Sequence, residues 1–157
     1  MSAGETEAIT AEGLEELKAE IARLEGEERQ RIAEKILRAR EHGDLSENAE
    51  YHAAKEDQAH LETRILRLLA RLRSARVVEA PAAANIVSFG ATVTFVDEST
   101  GKEQTFTLVG TTEQDLSAGK LSAESPIGRA LIGAKVDDVV PVETPGGRRN
   151  MRVTKLA

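Results

Sequence analysis

The chain has 157 residues, of which 31% are charged, and a formal net charge of -6 at pH 7. Because duplex-DNA binders need clustered Lys and Arg for phosphate contacts, this acidity argues against a dedicated DNA-binding protein, and we expect any contact with nucleic acid to be indirect. The absence of cysteine excludes a disulfide framework, a thiolate metal site and a cysteine nucleophile.

The N-terminal segment, residues 1 to 9, has no periodic pattern, and we expect it to be frayed. It is acidic, unlike a secretory signal, and no apolar run in the chain approaches the roughly 20 residues that a membrane span needs. We therefore expect a cytoplasmic protein that does not contact membranes. Thr10 is a candidate N-cap for a helix that starts near Ala11.

The first helix carries one apolar stripe with a break in its phase. Before the break the stripe consists of Leu14, Leu17, Ile21 and Leu24, and after it of Ile32, Ile36 and Ala39. The slip lies around Gly26 to Gln30 and predicts a local change of supercoil there.

The second helix has the cleaner pattern, because its apolar positions alternate steps of three and four. These positions are Tyr51, Ala54, Gln58, Leu61, Ile65, Leu68, Leu72 and Ala75. Such a seam is typical of a coiled coil. The link between the two stripes is short, so the helices must fold back on each other as an antiparallel hairpin. We assign the hairpin to residues 1–79, with its tip at residues 43–50.

Residues 80–157 form the second predicted domain, because β-branched residues, Gly and Pro replace the Glu, Arg and Leu of the hairpin. Two pairs of alternating segments predict antiparallel strands, at 91–96 with 104–109 and at 138–143 with 150–155. Between the pairs, Ser125, Pro126 and Gly133 mark the cap, first residue and stop of a short helix. The predicted fold class is α+β, a helical hairpin followed by a small antiparallel sheet with one short helix.

The tip concentrates negative charge, since Glu41, Asp44, Glu47 and Glu50 have no Lys or Arg among them. One interpretation is structural: Asp44 and Glu47 have the spacing of a capping box for the second helix. The other is functional: both carboxylates are ligands for Mg²⁺, which usually takes one or two protein carboxylates and completes its octahedron elsewhere. A second protein would then have to supply the remaining ligands.

The run from Glu41 to Gln58 resembles the tip signature of the GreA-type bacterial transcript-cleavage factors, the GreA/GreB family. The runs Phe89 to Val93, Ser125 to Gly133 and Thr144 to Gly147 are similar to the second domain of that family, so the resemblance covers essentially the whole chain. It implies a coiled-coil hairpin followed by an FKBP-like domain. Ser46 departs from the family, in which Lys is frequent at that position, and makes the tip more acidic.

The resemblance also implies a function. The hairpin of such factors enters the secondary channel of bacterial RNA polymerase, where the acids matched by Asp44 and Glu47 help to hold a second Mg²⁺ and the attacking water. Backtracked RNA is then cut near its 3′ end at the polymerase's own active site. The chain would be an accessory factor, not an enzyme, with Ser46, Asn48 and Tyr51 supporting the tip. We expect it to act as a monomer.

Several other residues have both a candidate functional role and an ordinary structural explanation. Arg38, Arg40 and Lys55 could hold the RNA backbone, or they could be ordinary helix surface with partners such as Glu34 for Arg38. The ring of Tyr51 is expected to pack against the first helix. On the resemblance, Ser125, Pro126 and Ile127 form a candidate edge for docking to the polymerase.

Two rival functions stay open at this point. A channel regulator or adaptor that does not stimulate cleavage would share the hairpin. A prolyl isomerase would share the implied fold, but it needs an aromatic-lined cavity, and the second domain offers only Phe89, Phe95 and Phe106.

Overall fold

The structure is a computed structural model that describes residues 6–41, 43–44, 47–79 and 85–157. Within these ranges it divides into two compact units. The first runs from Leu14 to Ala75, and the second combines Thr6–Gly13 with Arg76–Ala157. These units differ from the predicted domains, 1–79 and 80–157, in that the second unit includes the segment 6–13 and resumes at Arg76.

The first unit is a helical hairpin. Its first arm consists of α1 (Ala11–Arg23), a π-helical turn (Leu24–Glu28) and α2 (Arg29–Arg40), and its second arm is α3 (Ala49–Ser74). The predicted seam is confirmed by its buried residues, which are Leu17, Ile21, Leu24, Ile32, Ile36, Ala39, Ala54, Leu61, Ile65 and Leu68. Ion pairs between the arms, Arg29 with Glu62 at 2.9 Å and Lys35 with Asp57 at 2.8 Å, show the antiparallel register.

The π-helical turn explains the phase slip in the sequence. Leu24 and Ile32 are separated by eight residues, one more than a heptad, and both are buried in the seam. A π turn accommodates one extra residue per turn. The insertion is absorbed locally, and α2 resumes with its apolar face still directed at α3.

The second unit begins with a strand that the sequence did not reveal. β1 (Glu7–Ile9) pairs with β2 (Ala75–Val77) in a two-stranded sheet, and Ile9 is only 2% exposed. The expectation that residues 1–9 are frayed is therefore wrong for residues 7–9. Three residues are too few to show a strand period, and the partner of β1 lies at the far end of the hairpin sequence.

The main sheet of the second unit has the strand order β5-β4-β3-β7-β6. Its strands are β3 (Thr92–Asp97), β4 (Glu103–Val109), β5 (Lys120–Ser122), β6 (Val139–Thr144) and β7 (Gly147–Leu156). The neighbours pair antiparallel except β4 with β5, a short parallel pair. The expected class, a hairpin followed by a small sheet domain with one short helix, is confirmed, and β5 is an addition to it.

Alternation in β3 directs Val93 and Phe95 into the core, where both are fully buried. The short helix α4 (Pro126–Leu131) covers this face through Leu131. The helix starts as predicted, since the Ser125 hydroxyl accepts the backbone N–H of Gly128 at 3.1 Å. Among the described residues, no helix is both long enough and apolar enough to cross a membrane.

Candidate functional site at the hairpin tip

The tip lies between the end of α2 at Arg40 and the start of α3 at Ala49. Gly43 has a φ of +96°, a left-handed conformation that favours glycine, and its N–H reaches the carbonyl of Arg40 at 3.5 Å. The chain therefore leaves α2 through a glycine turn. His42, Leu45 and Ser46 lie outside the described residues, so the supporting role predicted for Ser46 stays a prediction.

Asp44 and Glu47 are both exposed and border a shallow depression of about 450 Å³. The same depression is lined by Asn48, Ala49 and Glu50. The structure thus brings the two predicted acids to one concave surface at the end of the hairpin. Carboxylate oxygens are the donors that Mg²⁺ prefers, so the chemistry of the pair fits this metal.

The capping-box interpretation of Asp44 and Glu47 is wrong. The N-cap of α3 is Asn48, whose side-chain oxygen accepts the backbone N–H of Tyr51 at 3.1 Å. Both acids precede this cap in the chain, so neither carboxylate is the N-cap of α3.

Two acids are not a complete metal site. In the part of the chain that the structure describes, no group of three or more His, Cys, Asp or Glu side chains is arranged to hold a metal ion. Mg²⁺ has six ligands, and two carboxylates supply at most a minority of them in a monodentate mode.

Asn48 has a second contact that the sequence did not reveal. Its side-chain Nδ2 donates to the backbone carbonyl of Ala39, in the last turn of α2, at 2.6 Å. Tyr51 is half-buried, and the Arg40 guanidinium carbon lies 6.0 Å from the centre of its ring. The ring thus contacts the first arm, as expected, and both contacts join the two arms at the base of the tip.

The predicted RNA-contact residues lie on both arms. Arg38 and Lys55 are exposed, and Lys55 donates to the side chain of Gln58 at 2.9 Å. The alternative ion pair between Glu34 and Arg38 is not among those formed within the described ranges. Arg40 is exposed as well, although it also contacts Tyr51.

In the second unit, one residue of the predicted docking edge, Ser125, also has a role in the fold. Ser125 caps α4 and also donates its hydroxyl to the carbonyl of Ser122 at 2.6 Å. Pro126 is exposed, whereas Ile127 is half-buried and lines a cavity of about 460 Å³ together with Met151.

This cavity argues against the prolyl isomerase. None of its lining residues is aromatic: they are Asp97, Thr100, Lys102, Gln104, Ile127, Thr144, Pro145, Gly146, Arg149 and Met151. Phe95 is fully buried in the core, and Phe106 stacks on it with the ring centres 6.1 Å apart. These two rings belong to the core and its edge and are not among the residues that line this cavity.

A buried carboxylate at the edge of the same cavity was missed by the sequence analysis. Asp97 ends β3 on its inward face and is 6% exposed. It accepts hydrogen bonds from the hydroxyl and backbone N–H of Ser99 and from Arg149 Nη1, at 2.6, 2.9 and 2.9 Å. These bonds, the Ser99 hydroxyl first, lower the pKa of Asp97 from 3.8 to about 2. Asp97 thus joins the β3–β4 loop to β7.

Two family models match the chain. The model of the N-terminal domain of transcription elongation factors matches residues 7–77, and that of the C-terminal domain of GreA/GreB transcription elongation factors matches residues 82–157. The transcription elongation factor GreA of Alkalilimnicola ehrlichii is 49% identical over 151 residues, which cover 94% of this chain and 95% of that protein. GreA of Bacillus subtilis is 43% identical over 149 residues, covering 95% of each.

One solved structure of similar length is that of GreA factor homolog 1 of Thermus thermophilus. It is 28% identical, and the match covers 97% of this chain and 99% of that chain with a TM-score of 0.43.

Proposed function

The chain belongs to the GreA/GreB family of transcription elongation factors, and we propose that it stimulates bacterial RNA polymerase to cleave backtracked nascent RNA. In this proposal the hairpin enters the secondary channel of the polymerase in the cytoplasm and carries Asp44 and Glu47 to the active site. The observation that carries the proposal is the pair of exposed carboxylates that line one depression at the hairpin tip.

The chain contributes ligands to a site in the polymerase. Asp44 and Glu47 each offer carboxylate oxygens, while the polymerase and water supply the rest of the coordination shell. A second Mg²⁺ held by Asp44 and Glu47 together with the polymerase would supply a water of lowered pKa and would stabilise charge on the reacting oxygens. In this proposal the chain is an accessory factor, and the polymerase's own active site carries out the cleavage.

The remaining predicted residues have supporting roles. In this proposal Arg38, Arg40 and Lys55, which are exposed on the arms next to the tip, contact the phosphates of displaced RNA. Pro126, with the neighbouring Ser125 and Ile127, forms a docking edge for the polymerase. Contact with nucleic acid is limited to the nascent RNA near its 3′ end, in keeping with the acidic net charge.

Transcript cleavage by stalled, backtracked polymerase tests this function directly. The wild-type chain should shorten the RNA, whereas Asp44→Asn and Glu47→Gln should not, although both variants should compete for polymerase as well as the wild type. Glu34→Gln is the matched control, because it removes an exposed carboxylate from α2 away from the tip. Polymerase binding without RNA shortening by the wild-type chain would refute cleavage stimulation and favour a channel regulator.

A further inference from the structure

We propose that Asn48 is a positioning residue: its side chain ties α2 to α3 at the base of the tip and thereby sets where Asp44 and Glu47 stand. The effect on cleavage rests on the function proposed above. The hydrogen bond from Asn48 Nδ2 to the Ala39 carbonyl, which we call the tie, is observed in the hairpin itself. It can therefore be tested on the free protein.

The side-chain amide of Asn48 forms hydrogen bonds with backbone groups at two helix ends, the start of α3 and the end of α2. The first N–H groups and the last carbonyls of a helix have no partner within it. Asn48 Oδ1 accepts the N–H of Tyr51 in the first turn of α3, at 3.1 Å, and Asn48 Nδ2 donates to the carbonyl of Ala39 in the last turn of α2, at 2.6 Å. Ala39 is 3% exposed, so this contact lies at the inner edge of the seam.

The tie closes the loop that carries the acids. Residues 40–47 connect Ala39 to Asn48, and both Asp44 and Glu47 lie within this segment. Glu47 is the neighbour of Asn48 in the chain, and Asp44, Glu47 and Asn48 line the same depression. Holding the two ends of a short segment together restricts the positions that its interior residues can adopt. Without the tie, the carboxylates would sample a wider range of positions.

The two hydrogen bonds of the Asn48 side chain, the cap of α3 and the tie to α2, can be separated by substitutions at this position. Serine at this position retains an oxygen for the Tyr51 N–H but is too short to reach the Ala39 carbonyl. Aspartate retains the cap and the shape of the side chain, but it replaces the donor with a charged acceptor facing a carbonyl oxygen. In both variants the helix start is preserved and the connection between the arms is lost.

The experiment measures the Mg²⁺ concentration that gives half-maximal RNA cleavage by backtracked polymerase, with the full chain carrying Asn48→Ser or Asn48→Asp. Each variant should require about tenfold more Mg²⁺ than the wild type, as is typical when a group that orients metal ligands is lost. Competition for polymerase should be nearly unchanged, and the melting temperature should fall by only about 2–4 °C. Gln30→Glu, which adds a negative charge on the exposed surface of α2, should behave like the wild type.

A purely structural role gives a different result. Loss of folded protein would lower cleavage by the same factor at every Mg²⁺ concentration, and this outcome would overturn the positioning role. An unchanged Mg²⁺ requirement in Asn48→Ser would overturn it equally.

Amide hydrogen exchange on the free protein separates this proposal from the function on which it rests. In Asn48→Ser, the amides of Gly43 and Asp44 should exchange at least about threefold faster than in the wild type, while that of Tyr51 keeps its protection. Equal exchange at Gly43 and Asp44 would refute the tie. If the wild-type chain leaves RNA uncut, the proposed function fails, and the exchange result still decides whether Asn48 ties the arms.

Discussion

Shortening the hairpin by one heptad in each arm should abolish stimulated cleavage while the chain still folds and binds polymerase. The ion pairs fix which residues to remove, because Arg29 lies opposite Glu62 and Lys35 lies opposite Asp57. Residues 30–36 of α2 therefore face residues 56–62 of α3. Deleting these two opposed segments keeps the register of the residues on both sides, and it retains Lys55.

The expected displacement is large compared with a coordination bond. Seven helical residues at 1.5 Å each withdraw the tip by about 10 Å. A carboxylate oxygen must lie at roughly 2.1 Å from Mg²⁺ to bind it. The deletion removes Ile32, Ile36 and Leu61 from the seam but leaves the buried residues on either side of the cut. The hairpin should therefore be less stable but still formed, with Asp44 and Glu47 out of reach.

Three measurements on the shortened chain check the reasoning: helicity by circular dichroism, competition for polymerase, and RNA cleavage. A control of full length, in which exposed residues of the two segments are shuffled and the seam residues are kept, should cleave like the wild type. Undiminished cleavage by a folded, shortened hairpin would mean that the carboxylates do not act at a fixed distance from the docking site.

Three further predictions concern stability. Ile65→Ala, at a seam position that is 1% exposed, should lower the free energy of unfolding by about 2–5 kcal/mol in chemical denaturation. The pKa of Asp97 is lowered from 3.8 to about 2, so its ionised form stabilises the fold above about pH 4, and this contribution is lost as the pH falls towards 2. The melting temperature of Asp97→Asn should therefore be lower than that of the wild type at pH 7. The difference between the two melting temperatures should shrink between pH 4 and pH 2. Glu113→Ala should lower the free energy of unfolding by about 1–3 kcal/mol, since the carboxylate accepts the backbone N–H groups of Thr10 and Gly110 at 3.1 and 3.0 Å. An unfolding free energy equal to the wild type's would show that water replaces these bonds.

Long periodic elements were accessible to sequence analysis because the period itself reports burial. The seam of α3 extends over 26 residues, so local exceptions such as the half-buried Gln58 do not obscure it. The strand pairs of the main sheet were found for the same reason. Turn chemistry located the start of α4 at Ser125 and Pro126, since cap and first-turn preferences act within four residues.

Contacts between residues far apart in the sequence could not be predicted, because no periodic pattern reports them. Thr10 and Glu113 are 103 positions apart, and their hydrogen bonds attach the start of α1 to the 3₁₀ turn Thr111–Glu113. Gly13 and Gly110 permit this approach, because a Cβ at Gly13 would collide with the Glu113 carboxylate and one at Gly110 with the carbonyl of Ala8. Nothing in the local sequence pairs these glycines with each other.

At the tip, only Asp44 and Glu47 were considered from the sequence as caps of the second helix, and Asn48 was not considered. All three side chains are able to accept amide hydrogen bonds, and the acids also suit the positive end of a helix dipole. The choice of Asn48 follows from its second bond to the Ala39 carbonyl, because a carboxylate cannot donate to a carbonyl. The contact between the arms therefore selects the cap, and that contact exists only once the hairpin has closed.

This choice of cap has a consequence for the proposed chemistry. A carboxylate that accepts backbone N–H groups has part of its oxygen lone pairs engaged and is a weaker ligand for a metal. An amide at the cap keeps Glu47 out of that role, and it also avoids a further negative charge beside Asp44 and Glu47, which would raise their mutual repulsion. With a neutral side chain at the cap of α3, Asp44 and Glu47 both lie at the exposed surface of the tip, where the proposed donor of ligands to another protein's metal must present them.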